Sequence, residues 1–431
     1  MITTINNKHN KLNFSSEREQ SQACLNSAEH EKNQGRKVLN VPNLRFKEFE
    51  GEWKEERLAD IADLYKGTGI SKDQLSDDGE PCILYGELYT KYKSETIREV
   101  ISKTSINNTK LVKSKANDVI IPCSGETAED IATARCVLNA NILLGGDLNI
   151  IRLHGYDGAF MSYQLNGRRK YDIAKVAQGV SVVHLYGEHL KGVKTINPCL
   201  EEQKKIAKLL SLLDERIATQ NKIIDKLQSL IKGINQNVFT DDGFNYMLKE
   251  LCEIRSGYSG NQLTSKNGLK VSRIETISGH KVNIERVGYV APFASSENYK
   301  LQIGDILFSN INSVEYIGNT AFIGKDYGLY HGMNLLRLMP NKNIVIPLYL
   351  YLLLNTNKMQ NHFKTICNKA VSQASINQTE LGKTVVKISS IKAQKQICEL
   401  YQSLYNKLET ENNAISLLQK QKEYLLRQMF I

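Results

Sequence analysis

Apolar residues recur at alternating steps of four and three along two segments of the chain. This spacing is the 3.5-residue repeat of a coiled-coil seam, in which one stripe of a helix packs against a partner helix. The pattern therefore predicts two long α-helices. Their seam positions are Ile206, Leu210, Leu213, Ile217, Ile224, Leu227 and Ile231 in the first helix, and Ile397, Tyr401, Leu404, Leu408, Ile415, Leu418 and Leu425 in the second.

Each predicted seam carries a polar residue at the same layer, Gln220 in the first and Glu411 in the second. Polar residues in such a seam fix the register and orientation of the helices at some cost in stability. A helix of roughly 34 residues is about 50 Å long at a rise of about 1.5 Å per residue. We therefore expect the helices to act as spacers between globular parts of the protein.

The two helices belong to a longer duplication. Residues 178–239 and 369–430 align without a gap at a constant offset of 191. The matched positions include Leu190 with Leu381, Leu213 with Leu404, Asn221 with Asn412 and Phe239 with Phe430. A repeat of this length indicates a duplicated domain rather than a solenoid. It also predicts an internal pseudo-two-fold, a symmetry that suits duplex DNA as a partner.

The parts between the repeats alternate short strand-like runs with short helices. Strands are predicted at 119–121, 142–144, 149–153, 306–308, 320–323 and 334–338, and helices at 160–165 and 348–354. Residues 70–115 and 258–303 show no convincing alignment with each other. Each half therefore combines parts that match the other half, which we call the frame, with a segment that has no match there.

These patterns give five segments. Residues 1–41 are polar and are expected to form a flexible extension, because they have too little apolar surface to offset the entropy of ordering. The others are a first mixed α/β domain (42–200), a central spacer helix (201–240), a second mixed domain (241–391) and a distal spacer helix (392–431). Trp53, the only tryptophan, is expected to anchor the first domain.

Composition narrows the class of protein. The formal net charge of +10 and the pI near 9.0 favour an anionic partner. The longest apolar run, 344–354, is too short to span a membrane, and residues 1–8 lack the apolar stretch of a signal peptide. Eight cysteines without a Cys-x-x-Cys pair match neither a zinc site nor a disulfide framework. We therefore expect free thiols and a cytoplasmic protein.

Several runs resemble the specificity subunit of type I restriction-modification enzymes, over residues 42–431. The segment from Gly179 to Ile206 resembles the end of a target recognition domain running into a spacer helix. The second half departs from the pattern at its helix entry, which reads Ser390-Ile391-Lys392-Ala393-Gln394 and lacks the Pro and Glu-Glu of the first. The other similar runs are 117–127, 145–149, 304–309 and 331–336.

The resemblance implies an α+β protein in which two target recognition domains are separated by two long antiparallel coiled-coil helices. Each domain would read one half of a split, asymmetric DNA site. Two modification subunits would dock on the repeated scaffold and methylate adenine with S-adenosylmethionine. Restriction subunits, which are motor nucleases using ATP and Mg, would cut the DNA. The chain itself would carry no cofactor and no catalytic residue.

The residues agree with a non-catalytic role. An adenine methyltransferase needs an Asn/Asp-Pro-Pro-Tyr/Phe motif, but the nearest string, Asn197-Pro198-Cys199-Leu200, lacks the second Pro and the aromatic residue. Gly318–Asp326 differs from a P-loop by having five residues between its glycines and Asp in place of Ser/Thr. The histidines lack the spacing of a zinc site, and no partner base can be argued for Ser124.

Candidate DNA contacts lie in loops at matching places in the two halves. Glycine-bearing loops let the backbone approach a duplex, and basic or amide side chains there reach phosphates or base edges. An ordinary turn is the alternative for each. The candidates in the first half are Tyr65, Lys66, Thr68, Ser124, Glu126, Thr127, Gln178 and Ser181, and those in the second are Arg255, Ser256, Tyr258, Asn310, Asn312, Lys369, Ser372 and Gln373.

The sequence thus supports a DNA-recognition subunit of a type I restriction-modification complex, with double-stranded DNA as a partner and no membrane. A different class remains open: a coiled-coil scaffold that binds protein or RNA without reading a DNA sequence. Binding to duplex DNA together with a methyltransferase encoded beside this chain distinguishes the two. An autonomous methyltransferase or nuclease lacks its motifs.

Overall fold

A computed structural model of the chain describes residues 39–106, 110–179, 182–239, 243–369 and 373–431. The predicted flexible extension lies almost wholly outside these ranges. The described chain forms two compact units. The first unit comprises the chain up to Ile217 together with Leu418–Ile431, and the second comprises Ala218–Leu417.

The first unit is built from short strands and helices that precede one long helix. Its strands are β1 (Lys54–Arg57), β2 (Ala62–Lys66), β3 (Leu75–Ser76), β4 (Glu80–Ile83), β5 (Thr96–Ile97), β6 (Ser102–Thr104), β7 (Val112–Lys113), β8 (Asp118–Pro122), β9 (Ser124–Gly125), β10 (Arg135–Val137), β11 (Leu143–Leu144), β12 (Leu148–Leu153), β13 (Val183–His184) and β14 (Lys194–Asn197). Its helices are α1 (Leu58–Ile61), α2 (Glu87–Thr90), α3 (Ala128–Ile131), α4 (Gly158–Asn166), α5 (Lys170–Val176), α6 (Gly187–Lys191) and the first half of α7 (Leu200–Asn237).

The main sheet of the first unit has the order β2-β12-β8-β10-β5, antiparallel except for β10 and β5. A second sheet, β3-β6-β4-β11-β7, combines four strands of the segment 70–115, which shows no convincing alignment with the other half, with β11 from the chain that precedes β12. Helix α4 begins after Asp157, whose carboxylate accepts a hydrogen bond from the Phe160 amide at 2.8 Å. Trp53 packs edge-on against Phe160, at 5.9 Å between ring centroids, within the buried core.

The second unit repeats this plan with a smaller second layer. Its strands are β15 (Phe244–Met247), β16 (Cys252–Ser256), β17 (Leu269–Val271), β18 (Gly288–Val290), β19 (Ile306–Phe308), β20 (Ile311–Asn312), β21 (Thr320–Phe322), β22 (Leu336–Pro340), β23 (Asn368–Lys369), β24 (Ala374–Ser375) and β25 (Val385–Ile388). Its helices are α8 (Leu248–Leu251), α9 (Pro347–Leu354), α10 (Asn357–Ile366), α11 (Gln378–Lys383) and most of α12 (Ile391–Gln428).

The main sheet of the second unit has the order β16-β22-β19-β21, which matches β2-β12-β8-β10. The frame strands also pair alike, since Lys54 faces Asn197 in the first unit and Phe244 faces Ile388 in the second. By contrast, the segment beside the second main sheet forms the hairpin β17-β18, short 3₁₀ turns and isolated bridges, including those of Gln262 with Val290 and of Val271 and Lys300 with Tyr330. The frame is thus repeated, whereas the added segments differ.

The repetition extends to individual hydrogen bonds at the start of each long helix. Gln203 and Gln394, which are 191 residues apart, are both buried. Each donates its amide to a carbonyl five residues earlier, Pro198 at 2.8 Å and Ser389 at 2.9 Å. Each also accepts the backbone amide that precedes α4 or α9, at 2.9 and 2.8 Å. This shared glutamine holds both helix entries in the same way, although the second lacks the Pro and Glu-Glu of the first.

The two long helices pack together in antiparallel directions. In the first unit Leu425 of α12 packs against a core that includes Ile206 and Leu210 of α7. In the second unit Gln220 of α7 donates to the Glu411 carbonyl at 3.2 Å and also contacts its carboxylate. Further along α7, Asn235 accepts from the Tyr401 hydroxyl at 3.0 Å. Every predicted seam residue is buried or half-buried.

The architecture confirms the predicted fold class of two mixed α/β halves with two long antiparallel helices. The predicted strand at 306–308 is found at the same residues, and the other predicted strands and the two predicted short helices lie within two residues of the observed bounds. Both long helices begin earlier than their first seam residue, at Leu200 and Ile391. The predicted domain boundaries stay a prediction, because each long helix contributes residues to both units.

Candidate nucleic-acid interface

The candidate residues of the first unit gather at one end of its main sheet, which we call the loop end. Here β2 and β8 finish and β12 starts, with Lys66 facing Asn149 and Pro122 facing Leu148. The next turns stay attached, because the Gly67 amide donates to the Leu148 carbonyl at 2.9 Å and the Cys123 amide donates to the Asp147 carbonyl at 2.7 Å. Two loops that are far apart in sequence therefore meet.

The third candidate loop joins them through a small ladder. Gln178 exchanges both backbone hydrogen bonds with His184, at 2.9 and 2.7 Å. His184 in turn pairs with Ser124 between β13 and β9. Ser181 lies outside the described residues. All three candidate loops of the first unit thus come together at the loop end.

The second unit has the same arrangement. Its loop end is where Leu336, the first residue of β22, faces both Ser256 and Phe308. Beyond it the Asn310 carbonyl accepts the Ile376 amide at 2.9 Å, and Ala374 pairs with both Asn312 and Lys369. Ser372 lies outside the described residues, and Gln373 is exposed.

The glycines of the first loops serve the fold itself. A Cβ placed on Gly67 would lie 2.0 Å from the carbonyl oxygen of Gly145, and one on Gly257 would lie 1.8 Å from that of Gly332. Contacts this short exclude any side chain. The loop that continues β2 or β16 therefore lies directly on the loop that precedes β12 or β22, and this close packing explains both glycines.

Several candidate side chains are occupied by the structure of the loops. The Thr68 hydroxyl accepts the Val112 amide at 2.9 Å and donates to the Lys110 carbonyl at 3.3 Å. Thr127 caps α3, since its hydroxyl oxygen accepts the Asp130 amide at 3.1 Å. Asn312 bonds to neighbouring residues through both atoms of its amide, and the buried Ser124 hydroxyl donates to Asp147 at 3.2 Å. These four side chains use their polar groups to hold the loops in place.

The remaining candidates present exposed or half-buried side chains. In the first unit Tyr65 is 46% exposed, and the Arg152 guanidinium lies over its ring at 4.9 Å. Arg152 forms a bidentate pair with Asp118 at 2.9 and 2.8 Å, and hydrogen bonding to that carboxylate raises the pKa of Arg152. The other exposed candidates are Lys66, Glu126, Gln178, Arg255, Ser256, Lys369 and Gln373.

A cleft opens at the loop end of each unit, and the two clefts differ in chemistry. The first has a volume of about 580 Å³ and is mainly apolar; Ile70, Leu75, Leu84, Tyr85 and Tyr89 line it. The second has a volume of about 520 Å³ and is mainly polar; Arg255, Ser256, Ser295, Asn298 and Gln378 line it. The segments that diverge in sequence therefore also make the walls of the clefts differ.

Three aromatic rings stand beside the second cleft. Tyr258 stacks on Phe293, with ring centroids 3.9 Å apart and planes 9° apart, and both contact Tyr299 edge-on. All three rings are half-buried. Tyr258, a predicted contact residue, is therefore held by its neighbours in a fixed position.

Sequence patterns did not single out the residues from the diverged segments, such as Tyr85, Tyr89 and Asn298. They also missed the buried pair of Arg337 and Asp305, 2.6 Å apart below the second cleft. The sequence does contain one indication of the pair, because Arg337 interrupts the apolar strand Leu336–Leu338. It does not indicate the partner, Asp305. His331, beside it, is buried, and burial lowers its pKa to about 4, so this imidazole is neutral near pH 7.

Within the described ranges, no group of three or more His, Cys, Asp or Glu side chains could hold a metal ion. No helix of the described chain is long and apolar enough to cross a membrane. The side chains described above give the loop ends cationic, amide, hydroxyl and aromatic groups, which are the groups that contact nucleic-acid backbones and bases.

Comparisons with known proteins match this description. The model of the type I restriction modification DNA specificity domain matches the chain twice, at residues 50–229 and 243–420. The chain is 25% identical over 418 residues to the type I restriction enzyme MjaVIII specificity subunit of Methanocaldococcus jannaschii, covering 88% of this chain and 94% of that protein. The second relative, from the same organism, is the "Putative type I restriction enzyme MjaX specificity subunit", 43% identical over 187 residues; the match spans 42% of this chain and 44% of that protein.

A solved structure shares the fold. The crystal structure of the type I restriction-modification S subunit from M. genitalium superposes with a TM-score of 0.59 at 17% identity, over 91% of this chain and 99% of that one. The two family matches together cover most of the chain, one in each half. The chain therefore belongs to the family of type I restriction-modification DNA specificity subunits.

Proposed function

We propose that this specificity subunit reads a bipartite, asymmetric site on duplex DNA, with one half-site for each unit. The observation that carries the proposal is the contrast within the repeat. The frame recurs down to the Gln203 and Gln394 hydrogen bonds, whereas the clefts at the two loop ends have different walls. Two unlike readers on equal frames suit two unlike half-sites.

The side chains at the loop ends support DNA as the ligand. Lys66 and Lys369 are exposed cations beside the loops, and the formal net charge of the chain is +10. Such groups contact phosphates and give a salt-dependent, sequence-independent attraction to DNA. Exposed Arg255 and Gln178 add groups that can bond to base edges.

As a specificity subunit the chain is non-catalytic. We therefore assign the reactions to partners. Two modification subunits would dock on the repeated frame and methylate adenine with S-adenosylmethionine, and restriction subunits would bind ATP and Mg and cut the DNA. The spacing role of the long helices belongs to the same proposal.

Exchange of one half tests the proposal most directly. Replacing residues 42–198 with the corresponding domain of another specificity subunit should change one half of the methylated motif, because the second unit keeps its own cleft. Methylome sequencing of cells that carry the chimaera and its methyltransferase reads both halves at once. The reciprocal control, replacement of residues 241–391, should change the other half. A change of both halves in either chimaera would contradict independent reading.

Duplex binding separates this function from a protein or RNA scaffold. The purified assembly with its methyltransferase should prefer one split duplex motif over random duplex at moderate salt. Non-specific affinity should fall steeply as salt rises, because phosphate contacts release counterions, whereas the preference for the motif should persist. Equal affinity for all duplexes would favour the scaffold.

A further inference from the structure

Arg255 occupies a position where its side chain is held from one side. It lies one residue before the end of β16, and Glu253 lies two residues earlier, on the same face of the strand. The Arg255 Nε donates to the Glu253 carboxylate at 2.5 Å. That bond uses Nε and leaves the two terminal amino groups, which form the forked edge of the guanidinium. The side chain is half exposed and lines the second cleft.

The floor below Arg255 favours an outward position of its charge. Arg337 is the residue directly opposite on β22, and it is 95% buried. Its own charge is paired with Asp305 at 2.6 Å, while its Nε is buried and has no hydrogen-bond partner in the described part of the structure. Like charges on facing strand positions repel each other. The Arg255 guanidinium is therefore disfavoured from folding down onto the sheet.

The walls around Arg255 carry groups suited to the edge of a base. Ser256, Ser295 and Asn298 supply hydroxyl and amide groups. The Gln378 amide is oriented by donating its Nε2 hydrogen to the Ile254 carbonyl at 2.7 Å, a bond that leaves its own carbonyl oxygen as an acceptor. A cleft of this composition recognises a polar planar group through several directed hydrogen bonds.

The first unit uses the same strand position differently. Tyr65 precedes Arg255 by 190 residues, and Asp63 precedes Glu253 by the same number. The acid again lies on the same face as the exposed side chain, since the Tyr65 hydroxyl is 3.5 Å from Asp63. The residue opposite Tyr65 is Ile150, where the second unit has Arg337. The repeat therefore keeps an acid beside this position and changes the exposed residue.

We propose that this strand position determines base specificity, and that Arg255, oriented by Glu253, reads a guanine in the half-site of the second unit. The inference rests on the proposed function. The fork of an arginine matches the O6 and N7 acceptors of guanine in the major groove, a pairing that no other base offers. Tyr65 cannot form that bidentate contact, so the first half-site has no guanine read from this position.

The test uses the full chain in complex with the methyltransferase encoded beside it, and duplexes in which each position of the motif is varied. In the wild type, replacing one guanine in the second half-site should lower affinity about 10- to 100-fold. Arg255→Lys keeps the charge but loses the fork, so it should remove most of this preference. Arg255→Gln should shift the preference toward adenine, since an amide pairs with adenine N6 and N7. Glu253→Gln should weaken the guanine preference without changing the preferred base.

Lys325→Gln is the matched control, because it also removes one positive charge. Lys325 follows β21 in the chain. It lies beyond the end of the main sheet that is opposite the loop end, where Phe322 faces Ile306. Its motif should equal that of the wild type. If the wild type prefers its motif and the Arg255→Gln variant keeps the same guanine preference, the inference about Arg255 is overturned while the proposed function stands. Uniformly weaker binding of that variant to all duplexes, with a smaller salt slope, would make Arg255 a phosphate contact and would also overturn it. A wild type without any sequence preference would instead overturn the proposed function.

Discussion

The two long helices pack against the core of each unit, but the side chains at the contact are charged in the first unit and apolar or aromatic in the second. In the first unit the seam ends in a buried charge cluster. The Lys422 ammonium lies 2.6 Å from Glu95 and 2.6 Å from Asp214, and the Tyr163 hydroxyl donates to Asp214 at 2.7 Å. In this lysine cluster the side chains of Lys422, Glu95 and Asp214 are at most 15% exposed.

In the second unit the equivalent positions are apolar or aromatic. An offset of 191 places Ile231 at the position of Lys422, and Tyr405 at that of Asp214. Both residues pack against the buried core of the second unit. This part of the seam includes the hydrogen bond from the Tyr401 hydroxyl to Asn235. The duplicated frame has therefore kept its backbone and changed the polarity of its seam.

The charge cluster links the recognition region to the helices. Ser94 donates to Asp214 at 2.9 Å, Glu95 pairs with Lys422, and Arg98 bonds to Ser211 at 2.9 Å and to Glu215 at 2.6 Å. Ser94 and Glu95 precede β5, the edge strand of the main sheet, and Arg98 follows it. Buried ion pairs contribute little net stability, but they demand the right partners. The difference indicates that the recognition region of the first unit contacts the long helices through paired charges, whereas that of the second unit contacts them through apolar packing.

The largest effect should follow from removing the lysine of the cluster. Lys422→Met removes the cation that contacts both buried carboxylates and leaves them with the weaker attraction of the buried Arg135 guanidinium. Breaking a buried ion pair in this way typically costs about 3–5 kcal/mol. Trp53 is the only tryptophan and belongs to the core of the first unit, so its fluorescence follows the unfolding of that unit. Denaturant titration should show its transition at a clearly lower concentration.

Arg427→Met provides the control for this loss. Arg427 lies on the same helix and in the same unit as Lys422, and it pairs with Glu423 four residues earlier, but the two side chains are 71% and 61% exposed. An exposed pair of this kind is worth about 0.3–0.5 kcal/mol. Adding Glu95→Gln and Asp214→Asn to Lys422→Met should recover part of the stability, because the unpaired charges disappear. Equal effects of Lys422→Met and Arg427→Met would show that the cluster is not a buried ionic joint.

A smaller effect should appear in the pH dependence of the same variant. Burial raises the pKa of Glu95, and the attraction of Lys422 only partly opposes that rise. Without Lys422 the pKa of Glu95 should rise further. Because the folded state then binds the proton more tightly than the unfolded chain, stability is greatest at low pH and falls as pH rises through the folded pKa. The loss caused by Lys422→Met should therefore be smaller at pH 5 than at pH 8. A loss that is constant over this range would contradict the assignment to Glu95.

The contrast between the seams also shows what the sequence could and could not predict. The seam residues and the strand 306–308 follow from periodicity and apolar runs, which are local signals. The cluster depends on Glu95 meeting Lys422 across 327 residues, and no local pattern indicates such a contact. Likewise, the glycine-bearing loops were selected from the sequence, but the reason for Gly67 and Gly257 lies in carbonyls of distant loops. Arg255 was selected as a basic loop residue, whereas its orientation depends on Glu253 and Arg337.

The smallest effect tests the second half of the comparison. Tyr401→Phe removes only the hydroxyl that donates to Asn235 at 3.0 Å. The ring stays packed in the core of the second unit, so the expected loss is about 1 kcal/mol, the net value of one hydrogen bond. Circular dichroism should detect a small shift of the helical signal, while the Trp53 transition should stay in place, because that residue belongs to the other core. A loss as large as that of Lys422→Met would mean that the second seam depends on polar contacts as strongly as the first, and the contrast between paired charges and apolar packing would fail.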